Sequence, residues 1–163
     1  MSDPSETPLP AAWDGDTAKG WAKKLAVPLL EIHPTLPSTN AHLRRRAREG
    51  VPSFTTIVAN SQTEGRGREG RSWHSWPDSG LWISVFVPVD EPGAPGVLPL
   101  AAGVAAALAV ERVSGLHVSI KWPNDLLVGD RKVAGILCEA AGEAGAFAAV
   151  GVGFALVVAR ANL

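Results

Sequence analysis

The chain of 163 residues has a single cysteine, Cys138. One thiol forms neither an internal disulfide nor a cysteine zinc cluster, so the sequence suits a reducing cytoplasm. A charge excess is missing too: 15 Lys and Arg face 16 Asp and Glu, for a formal net charge of −1. Proteins that grip long nucleic acid carry a strong basic surplus, and this composition excludes that class. The first ten residues include Asp3, Pro4, Glu6, Pro8 and Pro10, which does not fit a secretory leader. Long unbroken apolar runs are scarce. Residues 92–110 lack charge, but Pro92, Pro95 and Pro99 are expected to shorten any helix there, and residues 144–159 fall short of the ~18 of a good span candidate. No membrane partner is therefore expected. His33, His42, His74 and His117 show no metal-ligand spacing, so no zinc site is expected either. The 17 Gly and 13 Pro follow no repeat period, which excludes collagen-like and coiled-coil chains.

What remains is enough apolar sequence, 46%, for one domain whose core buries roughly two-thirds of the unfolded chain's surface. Residues 1–28 are polar and Pro-rich and read as a partly disordered N-terminal segment with a weak helix over 17–26. The pattern predicts strands over 29–33, 54–59, 81–87, 118–122, 126–128, 132–139 and 147–158. It predicts helices over 41–49, with Ser38 or Thr39 as N-cap and Gly50 as stop, and over 98–113, ended by Gly115. Gly129-Asp130 stands where a hairpin would turn. These elements imply an α+β domain: a mixed, largely antiparallel sheet with helices packed on one face.

Three segments carry chemistry. The first is Gly65-Arg66-Gly67-Arg68-Glu69-Gly70-Arg71-Ser72-Trp73. It matches the G-x-G-x-x-G dinucleotide fingerprint in letters, but that fingerprint needs a helix to begin there, and Ser72-Trp73-His74-Ser75-Trp76-Pro77 is not helical sequence. The glycines instead allow close backbone approach, and the arginines supply forked donors for phosphate or carboxylate. A solvated basic loop is the plain alternative. The second segment is Lys121-Trp122-Pro123-Asn124-Asp125, followed by Lys132 beyond a tight turn. Lysines meet phosphate as point charges, and Asp125 could hold Mg²⁺ beside phosphate oxygens; a solvent-exposed Asn-Asp turn is the alternative. The third is Ser38-Thr39-Asn40, either a helix cap or three short polar groups facing an amide-like ligand edge. Cys138, in an apolar strand, reads as core.

In this order, the three segments together with residues 132–139 resemble the biotin protein ligase family, from about residue 37 to 153. The resemblance implies a fold related to class II aminoacyl-tRNA synthetases and lipoate ligases. It also implies a reaction: biotin and ATP give biotinyl-5′-AMP and pyrophosphate, and biotin then passes to one lysine of a biotin carboxyl carrier domain. It implies ATP and Mg²⁺ as cofactors, and roles for particular residues. Ser38, Thr39, Asn40 and Gln62 would line the biotin ureido pocket. Gly65, Arg66, Gly67 and Arg68 would close over biotin and the adenylate phosphate, with Trp73 as a wall. Lys121, Asn124 and Asp125 would address nucleotide, phosphate and Mg²⁺. Lys132, with Gly135 behind it, would sit at the biotin carboxylate and α-phosphate. Arg68, Lys121 and Lys132 are the candidates for catalysis.

The sequence departs from the family pattern in two places. After Val150-Gly151-Val152-Gly153 that pattern continues with an asparagine that reaches the nucleotide; here Ala155 takes its place. The chain ends at Leu163, before the family's further helix, strand and small C-terminal β-barrel, and residues 1–28 do not resemble its helix-turn-helix module. Residues 29–163 are thus expected to form an incomplete catalytic domain, cytoplasmic, with no role on nucleic acid; a homodimer stays open. Two alternatives accompany this expectation: a non-catalytic remnant that binds biotin or adenylate, and a lipoate–protein ligase.

Overall fold

The computed structural model describes residues 13–76, 79–88, 94–141 and 147–155. Helix α1 (Ala18–Lys24) opens at Thr17, whose hydroxyl accepts from the Gly20 amide at 3.0 Å. Strand β1 (Leu30–Leu36), helix α2 (Thr39–Arg48) and strand β2 (Thr56–Gln62) follow. Ser38 is the N-cap of α2, and Arg45, Arg46 and Arg48 occupy its last turn, where cations offset the helix dipole. Next come β3 (Gly80–Pro88), α3 (Ala94–Ser114), β4 (Ser119–Lys121), β5 (Asp125–Val128), β6 (Arg131–Ala141) and β7 (Phe147–Ala155). The expected hairpin at Gly129-Asp130 joins β5 to β6, with Gly129 at φ 56°. The predicted strand at 54 begins instead at Thr56, because Phe54 adopts φ 65° and turns the chain. The expected strand residues 156–158 lie outside the described part, as do residues 1–12 of the polar N-terminal segment.

The strands form one sheet in the order β1-β2-β3-β7-β6-β5-β4. Among the described pairs, β1–β2 is parallel and the others are antiparallel, as a mixed, largely antiparallel sheet requires. Parallel neighbours need a crossover connection, and α2 supplies it.

That crossover alters the expected layering. Ile57 and Ala59 pack with Leu43 of α2, while Val58 packs with Trp21 and Ala22 of α1. Successive strand residues face opposite sides, so α1 and α2 lie on opposite faces. Glu139 of β6 bonds to Arg44 of α2, whereas Ile136 and Cys138 join Ala106 and Ala107 of α3. The expectation of one helical face thus holds for α1 and α3; α2 alone lies across the sheet. Residues 13–28, expected to be polar and loosely held, place Trp13, Trp21 and Ala22 against buried Leu30, Ile32 and Val58.

Helix α3 is longer than the prolines suggest. Pro95 sits in its first turn, where an amide hydrogen has no intrahelical partner. Pro99 stands further in and forfeits one backbone bond without ending the helix. The stretch Gly96–Ser114 is consequently long and apolar enough, by length and composition, to cross a bilayer. In this fold it lies on the sheet through Ala106 and Ala107, above Leu126, Ala134 and Ile136.

Candidate functional site

The start of α2, the end of β2, the loop after it, and the β4–β5 turn converge on one cavity of about 630 Å³. Its wall includes Ser38, Thr39, Asn40, Gln62, Arg66, Gly67, Arg68, Trp73, Lys121, Asn124, Asp125, Lys132 and Gly135. The cavity thus brings together residues up to 97 positions apart in sequence. Gly65 lies apart from them, along the adjoining groove. Its lack of a side chain has a different use. A Cβ there would stand 2.4 Å from the Trp73 carbonyl oxygen.

The polar end of the cavity is a closed hydrogen-bond network. The Thr39 amide donates to Gln62 Oε1 at 2.8 Å, and Thr39 Oγ1 lies 3.1 Å from the same oxygen. Asn40 Nδ2 donates to the Leu137 carbonyl at 3.1 Å and to Glu139 Oε2 at 2.8 Å. Glu139 is in turn held by Arg44 at 3.1 Å. Ser84, fully buried on β3, lies 2.8 Å from Thr39 Oγ1 and 2.7 Å from Asn40 Oδ1. Asn40 is thus committed to the protein at both ends of its amide. Ser84 and Glu139 escaped the sequence reading, as did the buried wall residue Trp82. A serine and a carboxylate within apolar strands were the available signals.

The loop after β2 is a small hairpin, not a helix start. The Trp73 amide donates to the Gly65 carbonyl at 2.8 Å and the Gly67 amide to the Arg71 carbonyl at 2.7 Å. Only a three-residue 3₁₀ turn, Arg68–Gly70, interrupts it, with Glu69 at φ 58° and Gly70 at φ 73°. The dinucleotide reading is thereby excluded, since no helix N-terminus faces the glycines. Arg71 pairs with Glu69 at 2.8 Å in solvent. Among the described residues, Arg66 and Arg68 carry no ion pair.

At the other end, Lys132 Nζ lies 2.7 Å from Asp125 Oδ1 and 4.8 Å from the Trp73 ring centroid. The ring lies over Gly135, where a Cβ would meet it at 2.9 Å. Asn124 Nδ2 donates to the Ile136 carbonyl at 3.1 Å, and the Ile136 amide to the Asn124 carbonyl at 2.8 Å. This pair pins the β4–β5 turn to β6. Asp125 offers one carboxylate beside Lys121 and Lys132. That set fits an Mg²⁺ that keeps phosphate and water as its other ligands, and does not make a cage from protein alone.

Outside the cavity, α2 is fastened to β1 by Glu31, His33 and His42, all buried. Their spacing in sequence suggested no cluster, yet strand and helix bring both histidines to one carboxylate oxygen, at 3.4 and 2.9 Å. Arg46 Nε donates to the second oxygen at 2.6 Å, and Arg45 Nη2 lies 3.2 Å from His42 Nδ1. Burial pushes the Glu31 carboxyl upward, but hydrogen bonds from His33, His42 and Arg46 outweigh it and hold the group well below the usual carboxylate range. Cys138 behaves as the core residue expected: burial pushes its thiol up to about 11.

Fold and cavity together give one site with a polar end and a cationic end. The biotin/lipoate A/B protein ligase family model matches residues 33–154, and the chain belongs to that family. It is 40% identical over 111 residues to the bifunctional ligase/repressor BirA of Bacillus subtilis, covering 68% of this chain and 34% of that protein. It is 41% identical over 118 residues to the biotin–[acetyl-CoA-carboxylase] ligase of Mycobacterium tuberculosis, covering 69% and 44%. Among solved structures, it resembles the Leishmania major biotin protein ligase in complex with biotinyl-5-AMP, with TM-score 0.69, 30% identity, and coverage of 78% of this chain and 57% of that one. The Aquifex aeolicus enzyme in complex with biotin and ATP gives TM-score 0.68, 33% identity, and coverage of 78% and 52%. The chain thus spans between a third and just over half the length of these relatives.

Proposed function

We propose that this chain carries the biotin- and adenylate-binding part of an ATP-dependent biotin–protein ligase. The observation that carries this reading is the union, in one cavity, of the Thr39–Gln62 polar end with the cations Arg66, Arg68, Lys121 and Lys132. A carboxylate and a triphosphate repel each other, and the reaction needs fixed positive charge where they meet. A charge pair at ~4 Å near a surface is worth about 4 kcal/mol at an effective dielectric of 20, before desolvation.

Ser38, Thr39 and Gln62 hold the cyclic urea of biotin, and Asn40 holds Thr39's helix turn in place. Lys132 steers the biotin carboxylate oxygen toward the α-phosphorus of ATP. The new O–P bond forms as the bond to pyrophosphate breaks, and Arg68 and Lys121 offset the charge on the phosphoryl oxygens. Asp125 would hold an Mg²⁺ that arrives with the nucleotide, and the ion would supply Lewis-acid charge to phosphate oxygen. In the second step a carrier lysine amine attacks the acyl carbon, AMP leaves, and an amide remains. No nucleophile on this chain is needed. The carrier domain is the proposed protein partner and the cytoplasm the proposed location; neither nucleic acid nor membrane has a role in this reading. Packing of α3 on the sheet supports its role as a structural helix.

The relatives described above are biotin ligases, which favours biotin over lipoate. Ala155, where the family pattern has asparagine, favours a second reading: a remnant that binds biotin or adenylate without turnover. Calorimetric titration with biotin, ATP and Mg²⁺, joined to a pyrophosphate-release assay, tests both. Release that depends on biotin and ATP together supports the ligase. Binding without release supports the remnant, and no heat with biotin at millimolar concentration refutes both.

A further inference from the structure

We infer that Glu31, His33 and His42 form a binding site for a borderline divalent metal ion of the zinc class, which staples helix α2 to strand β1. The described wall of the ligand cavity includes none of the three, so the inference does not rest on the functional reading above. Spacing along the sequence predicts no such site; the pairing of strand and helix creates it. Each residue offers one ligand atom, and the three atoms lie within 4.8 Å of one another. Glu31 Oε2 is 3.4 Å from His33 Nε2 and 2.9 Å from His42 Nε2. A tetrahedral zinc ion, with bonds of about 2.0–2.2 Å, holds its ligand atoms about 3.3–3.6 Å apart, so side-chain shifts of up to about 1 Å reach that geometry. All three residues are buried. Two imidazoles and one carboxylate select zinc-like ions over Mg²⁺ and Ca²⁺, which prefer oxygen.

Protons and charges at the cluster are compatible with a cation. A neutral imidazole carries one proton, and an Nε2 that binds metal leaves that proton on Nδ1. His33 Nδ1 is buried with no hydrogen-bond partner, so it stays unpaired in either tautomer and the change gives up no bond there. His42 Nδ1 faces Arg45 Nη2 at 3.2 Å, and that half-buried arginine has to turn aside. Arg46 donates to the other carboxylate oxygen, Oε1, at 2.6 Å, which leaves Oε2 to the ion. Arg46 also pairs with Glu49. With Arg45 withdrawn, two carboxylates face one guanidinium, and the cluster keeps a net negative charge. The Glu31 carboxyl is held well below the usual carboxylate range by its hydrogen bonds, so it is an anionic ligand at neutral pH. His42 stands one turn beyond Thr39 on α2, and an ion there braces the first part of the helix.

The test is Zn²⁺ titration of the full chain, read by metal content and by histidine ¹H–¹⁵N spectra. The parent should bind one zinc per chain at micromolar concentration. Of its four imidazoles, two should hold their proton on Nδ1 once Zn²⁺ is added. His33→Gln should weaken binding about 100-fold or more, above the usual cost of losing an outer-shell partner. It is the variant of choice because His33 contributes one long hydrogen bond, at 3.4 Å. His117→Gln removes the exposed pair with Glu111 and should bind zinc as the parent does. No binding by the parent, equal binding by folded His33→Gln, or a loss of binding in His117→Gln overturns the inference. If His33→Gln does not fold, the parent's spectra decide, and tautomers unchanged by Zn²⁺ overturn it.

Discussion

Gly65→Ala should loosen the grip on an anionic ligand while leaving the fold intact. The new Cβ would lie 2.4 Å from the Trp73 carbonyl oxygen, where real Cβ contacts keep at least 3.0 Å. The obstacle is backbone, so no rotamer change relieves it, and the loop has to open by about 0.6 Å to reach the shortest tolerated contact. That opening strains the bond from the Trp73 amide to the Gly65 carbonyl, now 2.8 Å, and carries Arg66 and Arg68 outward. If each arginine moves from ~4 to ~4.6 Å from phosphate at an effective dielectric of 20, it loses about 0.5 kcal/mol, and the two together about 1 kcal/mol. Affinity for an anionic adenylate should then fall about five- to tenfold. The assay is calorimetric titration with the alcohol analogue of biotinyl-5′-AMP, which keeps the phosphate anion and resists hydrolysis, compared with biotin alone. Biotin affinity should change less, because the proposed urea partner nearest the new Cβ, Gln62 Nε2, would lie 3.3 Å away at the end of a flexible side chain that can give by a few tenths of an ångström. Equal losses for the two ligands, or none for the adenylate, would refute the reasoning.

Three further outcomes are expected. Arg68→Gly should let the reactive adenylate escape, seen as free biotinyl-AMP in solution by chromatography; retention equal to the parent's removes Arg68 from the role proposed. Leu43→Ala, at a fully buried site between α2 and the sheet, should cost about 2–5 kcal/mol and lower the denaturant midpoint; a loss under 1 kcal/mol would mean that the site collapses around the gap. Glu31 has a folded pKa below its unfolded value, so its contribution is complete above the unfolded value of about 4.3 and is lost as pH falls through that value toward the folded one. Glu31→Gln should therefore be less stable than the parent at neutral pH, with the gap closing in acid. A gap independent of pH in denaturant titrations would contradict the hydrogen-bonded carboxylate.

Much of the fold was legible because local signals agreed with the global arrangement. Thr17 and Ser38 cap the helices they precede, Gly129 turns the β5–β6 hairpin, and β-branched runs became strands. The layering was not legible. Whether a helix lies on one face or the other depends on strand pairing, and only the parallel pairing of β1 with β2 sends α2 across the sheet. α3 escaped in part because a proline's cost depends on its place in a helix, which composition does not state.

Residue types alone determined the chemistry on offer at the site: arginines and glycines for an anion, lysines and a carboxylate for phosphate with Mg²⁺, short hydroxyl and amide groups for a polar ligand edge. They determined this because charge and hydrogen-bonding capacity belong to the side chain wherever it is placed. Tertiary structure alone decided how those groups are spent. It set Asn40 to bracing the pocket, gave Gly65 the task of clearing Trp73, and joined Glu31, His33 and His42 under α2. It also brought Ser84 beneath Thr39. A hydroxyl can give or accept, and its neighbours in space, 45 and 23 residues away along the chain, decide which.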